Sequence, residues 1–128
     1  MNCKIEKSKL NGTITCPSNK SYTHRAIFLA ALSDGKSIVK KILRSNDISA
    51  TISACRGFGV EVEEVEDKVT INNTIDSTVD SSMINAENSG TTIRIAIAIA
   101  ALSGGNTTLT GDESLRKRPM QPILDSLE

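Results

Sequence analysis

The stretch SNKSYTHR, residues 18–25, concentrates cationic and hydrogen-bonding side chains directly before the apolar run AIFLAAL. If this segment starts a helix, Lys20 lies in the first turn, where the helix dipole disfavours a cation, so we expect an external anion to neutralise it. Ser21 and Arg25 are four residues apart on one face, so a hydroxyl and a guanidinium could contact one anionic group. These residue types indicate binding of a phosphate or carboxylate, although a solvated helix start would explain them equally well.

Two further polar segments have the same character. NSGTT, residues 88–92, offers a helix cap, two threonine hydroxyls, and Gly90, where a ligand could approach the backbone. LRKRPM, residues 115–120, places three cations directly before Pro119. Alone, the first is better explained as a simple cap and the second as a solvated basic run. Because all three lie at related helix starts, together they predict one site for a polyanion. A P-loop is excluded, since the glycines that should precede Lys20 are absent.

A repeat with a spacing of 70 residues relates the first two segments. LAALSDGKSIVK, residues 29–40, matches IAALSGGNTTLT, residues 99–110, at AALS and at the second glycine. Further along, Ile48, Ile52 and Cys55 recur 72 residues later as Met120, Leu124 and Leu127. The second copy therefore has a longer loop, and the fixed period indicates duplicated supersecondary units.

The local patterns predict an α+β fold built from β-α-β-α-β-β units. Residues 12–80 form one complete unit: a strand at GTITC, a helix capped by Ser18 or Asn19, a strand at SIVKKIL, a second helix capped within SND by Asp47, and a hairpin turning near Glu66. Residues 81–128 supply part of a second unit, with a helix from Ser89, a strand at NTTLTG and the start of another helix. We therefore expect the chain to be cut inside its second repeat.

Composition excludes several classes of protein. Residues 1–56 hold ten Lys or Arg and three Asp or Glu, yet the chain of 128 residues has a net charge of zero and 2% aromatic residues, which disfavours nucleic-acid binding. The longest apolar run is too short to cross a bilayer, so no membrane association is expected. Cys3, Cys16 and Cys55 lack metal-ligand spacing, which predicts buried, reduced thiols in a cytoplasmic protein and no metal.

The motifs NKSYTHRA, NSGTTIR and LTGDESLRKRPM resemble the N-terminal motifs of the 5-enolpyruvylshikimate-3-phosphate (EPSP) synthase family, from about Gly12 to the last residue. The resemblance implies an enolpyruvyl transferase fold of repeated βαβαββ units and the partial N-terminal domain of a two-domain enzyme, with residues 1–11 as a strand crossing to the other domain. The family transfers the enolpyruvyl group of phosphoenolpyruvate to the 5-hydroxyl of shikimate 3-phosphate, releasing phosphate, and uses no metal or organic cofactor.

The resemblance also implies roles for individual residues. It assigns shikimate 3-phosphate to Lys20, Ser21 and Arg25, and phosphoenolpyruvate to Lys20, Asn88, Gly90, Thr91 and Arg118. It assigns no catalytic residue here, because the family's acid/base carboxylate and lysine lie outside this sequence. His24 falls on the opposite side of the helix turn from Ser21, so we expect it to be structural and not an acid or base. We therefore expect this chain to be inactive alone, and to work as part of a monomer that includes the missing C-terminal domain.

Three alternatives are weighed against this interpretation. The related UDP-N-acetylglucosamine enolpyruvyl transferase carries a reactive cysteine in a loop that corresponds to residues 111–119, which contain none. An RNA-cyclase-type relative of the same fold is disfavoured by the neutral charge and the few aromatic side chains. A pure binding or dimerisation module stays open.

Overall fold

The computed structural model describes residues 3–73 and 81–127, and it contains three long helices, two short helices and five strands in those ranges. The helices are α1 Lys20–Leu32, α2 Asn46–Gly57, α3 Gly90–Leu102, α4 Glu113–Arg116 and α5 Gln121–Leu124. The strands are β1 Gly35–Lys40, β2 Glu61–Val65, β3 Lys68–Asn73, β4 Ser81–Asn85 and β5 Asn106–Thr110. The mixture agrees with the predicted α+β class. Residues 74–80, at the predicted boundary between the units, lie outside the described residues.

The three long helices begin at side-chain caps. Asn19 accepts a hydrogen bond from the Tyr22 backbone N–H at the start of α1. Ser89 accepts one from the Thr92 backbone N–H at the start of α3. Ser45, rather than Asp47, caps α2 by accepting from the backbone N–H of Ile48. The prediction of Asp47 as the cap is wrong because this residue already lies within the first helical turn, which leaves its carboxylate available for other contacts.

The strands form two sheets. In the first, β1 and β2 each pair antiparallel with β3, in the order β1-β3-β2, and the hairpin between β2 and β3 turns at Glu66 as predicted. In the second, β4 and β5 pair in parallel, and the crossover helix α3 connects them along the chain. Sequence reasoning identified β5 but not β4.

The strand predicted at GTITC, residues 12–16, does not form. This segment is neither helix nor strand, and the side chain of Ile14 is 85% exposed. Its counterpart 70 residues later coincides with β4, which does form because β5 pairs with it. A strand depends on its partner, so β-branched composition alone could not decide the outcome. The crossing of residues 1–11 to a second domain stays a prediction.

The repeat is visible in the structure. Helices α1 and α3 both have 13 residues, and each leads into a strand, β1 or β5. The next helix differs between the copies: Ile52 of α2 is 1% exposed, whereas its counterpart Leu124 in the short helix α5 is 43% exposed. The duplication therefore extends clearly through the first helix and strand of each copy.

Two apolar clusters hold these elements together. The larger packs α1 and α2 against the three-stranded sheet through residues such as Ile27, Ile48 and Ile71. The smaller joins α3 to α4 through residues Ala86, Ile93, Ile97 and Leu115. Burial of this aliphatic surface is the main stabilising term and fixes the relative positions of the three long helices.

Two predictions from composition concern the burial of the cysteine thiols and the membrane, and the structure describes the residues on which both depend. Cys55 is buried, which raises the pKa of its thiol to about 12, but Cys3 and Cys16 are exposed, so the prediction of buried thiols is wrong for those two. Among the described residues, no helix has both the length and the apolar character needed to span a membrane.

Candidate functional site

The starts of α1, α2 and α3 and the segment after α4 meet at one open cavity of about 590 Å³. Its lining residues are Lys20, Asp47, Asn88, Gly90, Thr91, Arg94, Ile95 and Arg118. The set therefore includes all five residues that the resemblance assigns to phosphoenolpyruvate. It also includes residues that sequence reasoning did not assign to a ligand, among them Asp47 and Arg94.

Lys20 is paired with Asp47 within this cavity. The Lys20 Nζ atom lies 2.7 Å from Asp47 Oδ2, and the two side chains are 52% and 32% exposed. Lys20 therefore has an acidic partner within the chain, a carboxylate 27 residues away in sequence, and binding of a substrate anion at this ammonium group stays a prediction. Such a distant partner leaves no local signal in the sequence. A partly exposed ion pair contributes only about 0–1 kcal/mol, so an anionic ligand could replace Asp47 at the ammonium group.

Asn88 links Arg118 to the cap of α4. Arg118 Nη2 donates to Asn88 Oδ1 at 2.6 Å, while Asn88 Nδ2 donates to Asp112 Oδ2 at 2.5 Å. Hydrogen bonds from the Leu115 backbone N–H and from Asn88 lower the pKa of Asp112, which keeps this carboxyl group ionised. Asp112 therefore fixes the orientation of the Asn88 amide, and the neutral Asn88 holds Arg118 without cancelling its charge.

Gly90 lets two guanidinium groups approach the start of α3. A Cβ atom at this position would lie 2.8 Å from Arg118 Nη1 and 3.0 Å from Arg94 Nη1, closer than such contacts normally allow. Arg94 also donates to the Gly90 carbonyl at 3.0 Å. The spacing of four residues between Gly90 and Arg94 was the available signal for this arginine, since it places both on one helix face.

The electrostatics of the cavity favour an anion. Lys20, Arg94 and Arg118 line it together with the amino-terminal turn of α3, whose backbone N–H groups and dipole attract negative charge. Asp47 is the acidic residue on this wall. A small ligand with a phosphate or carboxylate group fits this combination of charges.

Ser21 and Arg25 do not line this cavity. Arg25 Nε donates to the backbone oxygen of Ser21 at 3.2 Å, and its guanidinium carbon lies 5.1 Å from the centroid of the Tyr22 ring. Both residues are on an exposed face of α1. Ser21 and Arg25 thus lie outside the cavity lining that includes Lys20, and their assignment to shikimate 3-phosphate stays a prediction.

The predicted basic run at residues 116–118 contributes only its last member. Lys117 pairs with Glu113 at 2.6 Å, and Arg116 is exposed at the end of α4. The turn of α4, which sequence reasoning missed, then directs Arg118 to the cavity. One cation of three therefore joins the site.

The relatives of this chain are consistent with the motifs. A family profile described as EPSP synthase (3-phosphoshikimate 1-carboxyvinyltransferase) matches residues 5–128. Proteins named 3-phosphoshikimate 1-carboxyvinyltransferase match 99% of the chain: that of Nitrosopumilus maritimus is 56% identical over 127 residues, and that of Methanosarcina acetivorans is 48% identical over 128. The chain spans about 30% of the length of these relatives.

Solved structures of EPSP synthase from Acinetobacter baumannii superpose on the chain. One has a TM-score of 0.76 at 32% sequence identity, covering 91% of this chain and 27% of the other; a second has a TM-score of 0.74 at the same identity. This similarity confirms the enolpyruvyl transferase fold that the motifs implied. The chain belongs to the EPSP synthase family.

Proposed function

We propose that this chain supplies one wall of the active site of an enzyme that transfers the enolpyruvyl group of phosphoenolpyruvate to the 5-hydroxyl of shikimate 3-phosphate, releasing phosphate. One observation carries the proposal: Lys20, Asn88, Gly90, Thr91 and Arg118 come from separate segments of the sequence but line a single cavity. Their convergence supports a common ligand, and the cations among them suit the phosphate and carboxylate groups of phosphoenolpyruvate.

The proposed chemistry depends on bringing two anions together. A carbon–oxygen bond must form between the 5-hydroxyl oxygen and the enolpyruvyl carbon that carries phosphate, and the carbon–oxygen bond to phosphate must then break. Lys20, Arg94 and Arg118 reduce the repulsion between the substrates and hold them at reacting distance. The acid/base groups would come from the rest of a two-domain enzyme, so this chain alone would not turn over.

Shikimate 3-phosphate is proposed to bind beside this wall. Lys20 faces the cavity, while Ser21 and Arg25 extend the same helix start toward solvent. A ligand that contacted Lys20 and the exposed face of α1 would have its phosphate near Arg25. The remainder of the enzyme would then close over both substrates.

The test compares two arginines in the full-length enzyme. Arg118→Ala should weaken phosphoenolpyruvate binding by about 10- to 100-fold, because one charge-assisted contact to an anion contributes about 1.5–3 kcal/mol. Shikimate 3-phosphate binding should change much less. Arg116→Ala is the matched control, since Arg116 does not line the cavity, and it should leave both affinities near their original values. Equal losses for both substrates in Arg118→Ala would show that Arg118 supports folding or closure instead.

A further inference from the structure

Four buried polar side chains form a continuous hydrogen-bond chain among the helices that carry the cavity. His24 Nδ1 lies 2.6 Å from Thr51 Oγ1, Thr51 Oγ1 lies 2.7 Å from Thr92 Oγ1, and Thr92 Oγ1 donates to Ser89 Oγ at 2.7 Å. Each of the four side chains belongs to a residue that is at most 1% exposed. Burying so many polar groups is unfavourable unless they are paired, so their pairing fixes the geometry closely.

The chain of hydrogen bonds connects the site residues to one another. His24 follows Lys20 by one turn of α1, and Thr51 follows Asp47 by one turn of α2. Ser89 is the cap of α3 and immediately precedes Gly90. The network therefore connects α1, α2 and α3, and each of its members lies within one helical turn of a residue that lines the cavity.

The unpaired ring nitrogen of His24 indicates the direction of these hydrogen bonds. Nε2 is fully buried and has no partner within the described part of the chain. An unpaired buried N–H is rarer and more costly than an unpaired lone pair, so the proton belongs on Nδ1. Nδ1–H then donates to Thr51, whose hydroxyl lies within hydrogen-bond distance of both Thr92 Oγ1 and the Asp47 backbone oxygen. Thr92 donates to Ser89, which as the cap also accepts from the Thr92 backbone N–H.

The surroundings of His24 favour the neutral imidazole. Burial lowers its pKa, the Asp47 carboxylate opposes that shift, and the Lys20 ammonium adds to it. A neutral ring has one N–H, which Thr51 accepts at Nδ1, and one lone pair, which stays at Nε2, the nitrogen without a partner among the described residues. Protonation would put a second, unpaired N–H in a fully buried position.

We infer that His24 is a positioning residue: through Thr51, Thr92 and Ser89 it fixes the start of α1, with Lys20, relative to the start of α3, with Gly90. This role rests on the proposed function, in which Lys20 and Gly90 hold one anionic substrate. The spacing of the two helix starts then sets how well the site fits phosphoenolpyruvate.

The first measurement determines which ring nitrogen of His24 carries the proton, with no ligand present. Because His24 is the single histidine, ¹⁵N NMR of the full 128-residue chain reports its two ring nitrogens directly. The proposal requires Nδ1 protonated, Nε2 unprotonated, and an imidazole pKa below the ordinary histidine value, because burial disfavours the charged ring. A neutral ring with its proton on Nε2, or an imidazole pKa at or above the ordinary histidine value, would overturn it.

The second measurement breaks the chain at its centre. Thr51→Val keeps the shape but leaves the Nδ1–H of His24 unpaired, so the backbone amide signals of both Lys20 and Gly90 should shift. Thr51→Ser restores the hydroxyl and should restore both signals. Ile71→Val, a buried change in the sheet, is the control for general destabilisation and should move neither. If Thr51→Val does not fold, Thr92→Val, which breaks the next link, takes its place. Unmoved signals in the folded variant would overturn the proposal.

The third measurement connects the network to the ligand. In the full-length enzyme, Thr51→Val should weaken phosphoenolpyruvate binding about 3- to 30-fold, the range for residues that act through coupled packing. Thr51→Ser and Ile71→Val should bind nearly as the unchanged enzyme does. An unchanged affinity in Thr51→Val would refute the positioning role. If the unchanged enzyme binds no phosphoenolpyruvate, the proposed function fails, while the ring nitrogens and amide shifts still decide whether His24 fixes the two helix starts.

Discussion

At the scale of single residues, the cavity depends on a missing side chain as much as on the charges around it. Gly90 leaves the space into which the guanidinium groups of Arg94 and Arg118 extend. The atoms that a new Cβ would meet are the far ends of flexible side chains, so they can move away rather than distort the helix. A substitution at this position should therefore separate ligand binding from stability.

Gly90→Ala should weaken phosphoenolpyruvate binding by at least about 10-fold, because a displaced guanidinium loses a charge-assisted contact. Its free energy of unfolding should stay constant or rise by up to about 1 kcal/mol, since alanine restricts the unfolded chain. Calorimetric titration and chemical denaturation measure the two effects. The matched control is Gly104→Ala, where a Cβ meets nothing within 4 Å, and where affinity should not change. A parallel loss of stability and binding in Gly90→Ala would contradict this account.

The second prediction for a single residue concerns Asp47, which pairs with Lys20 in the cavity. Its carboxylate forms an ion pair with the Lys20 ammonium group in the structure, so it competes with any ligand anion for the same cation. Asp47→Asn should raise the affinity for phosphoenolpyruvate by about 2- to 5-fold and change stability by less than about 1 kcal/mol, as expected for a partly exposed pair.

The comparison pair for that experiment is Glu113 with Lys117, a similar contact outside the cavity. Glu113→Gln should leave the affinity constant. A lower affinity in Asp47→Asn would mean that Asp47 orients Lys20 for the ligand and does not compete with it.

At the scale of elements, the loop before α3 is held in place by the end of β5. The Ala86 N–H donates to the Thr110 carbonyl at 2.9 Å, and the Asp112 N–H donates to the Glu87 carbonyl at 2.8 Å. Gly111 lies between these contacts, where a Cβ would come within 2.7 Å of the Glu87 oxygen. The close approach of the two backbones carries Asn88 to the cavity.

Gly111→Ala should therefore behave differently from Gly90→Ala. The new Cβ meets the buried Leu115 side chain and the Glu87 backbone oxygen, and neither can move away freely, so we expect a loss of about 1–3 kcal/mol in unfolding free energy, as for other overpacked positions. Denaturation with urea measures this loss, and phosphoenolpyruvate affinity should fall with it because Asn88 is displaced. Stability equal to that of the unchanged chain would show that this loop is free to adjust.

Signals within one element predicted the three long helices and the hairpin, whereas the short helix α4 and individual contacts between elements did not follow from the sequence. The starts of α1 and α3 were predictable because Asn19 and Ser89 cap them locally. The pairing of Lys20 with Asp47 depends on packing between α1 and α2, and the absent strand at residues 12–16 depends on a partner strand. The three related helix starts indicated one anion site from the residues alone, whereas the assignment of five cavity residues to phosphoenolpyruvate came from motifs that resemble those of a family.

At the scale of the whole molecule, zero net charge conceals a separation of charge. Lys20, Arg94 and Arg118 gather at the helix starts, while the acidic residues of β2 lie on the three-stranded sheet. The chain spans about 30% of its relatives, and it brings this cationic wall together from its own elements. We therefore expect weak, salt-sensitive binding of an anion by the chain itself, since exposed charges are screened.

The most direct test of the shared cavity is a titration of the ¹⁵N-labelled chain with phosphoenolpyruvate at low salt, followed by amide shifts. The amides of Lys20, Gly90, Thr91 and Arg118 should move together and saturate at roughly millimolar ligand, about 4 kcal/mol of binding free energy. Lys20→Met should reduce all four shifts, and added salt should weaken them. If these amides stay still while a distant surface such as the β1 lysines Lys36 and Lys40 responds, the cavity is not the anion site.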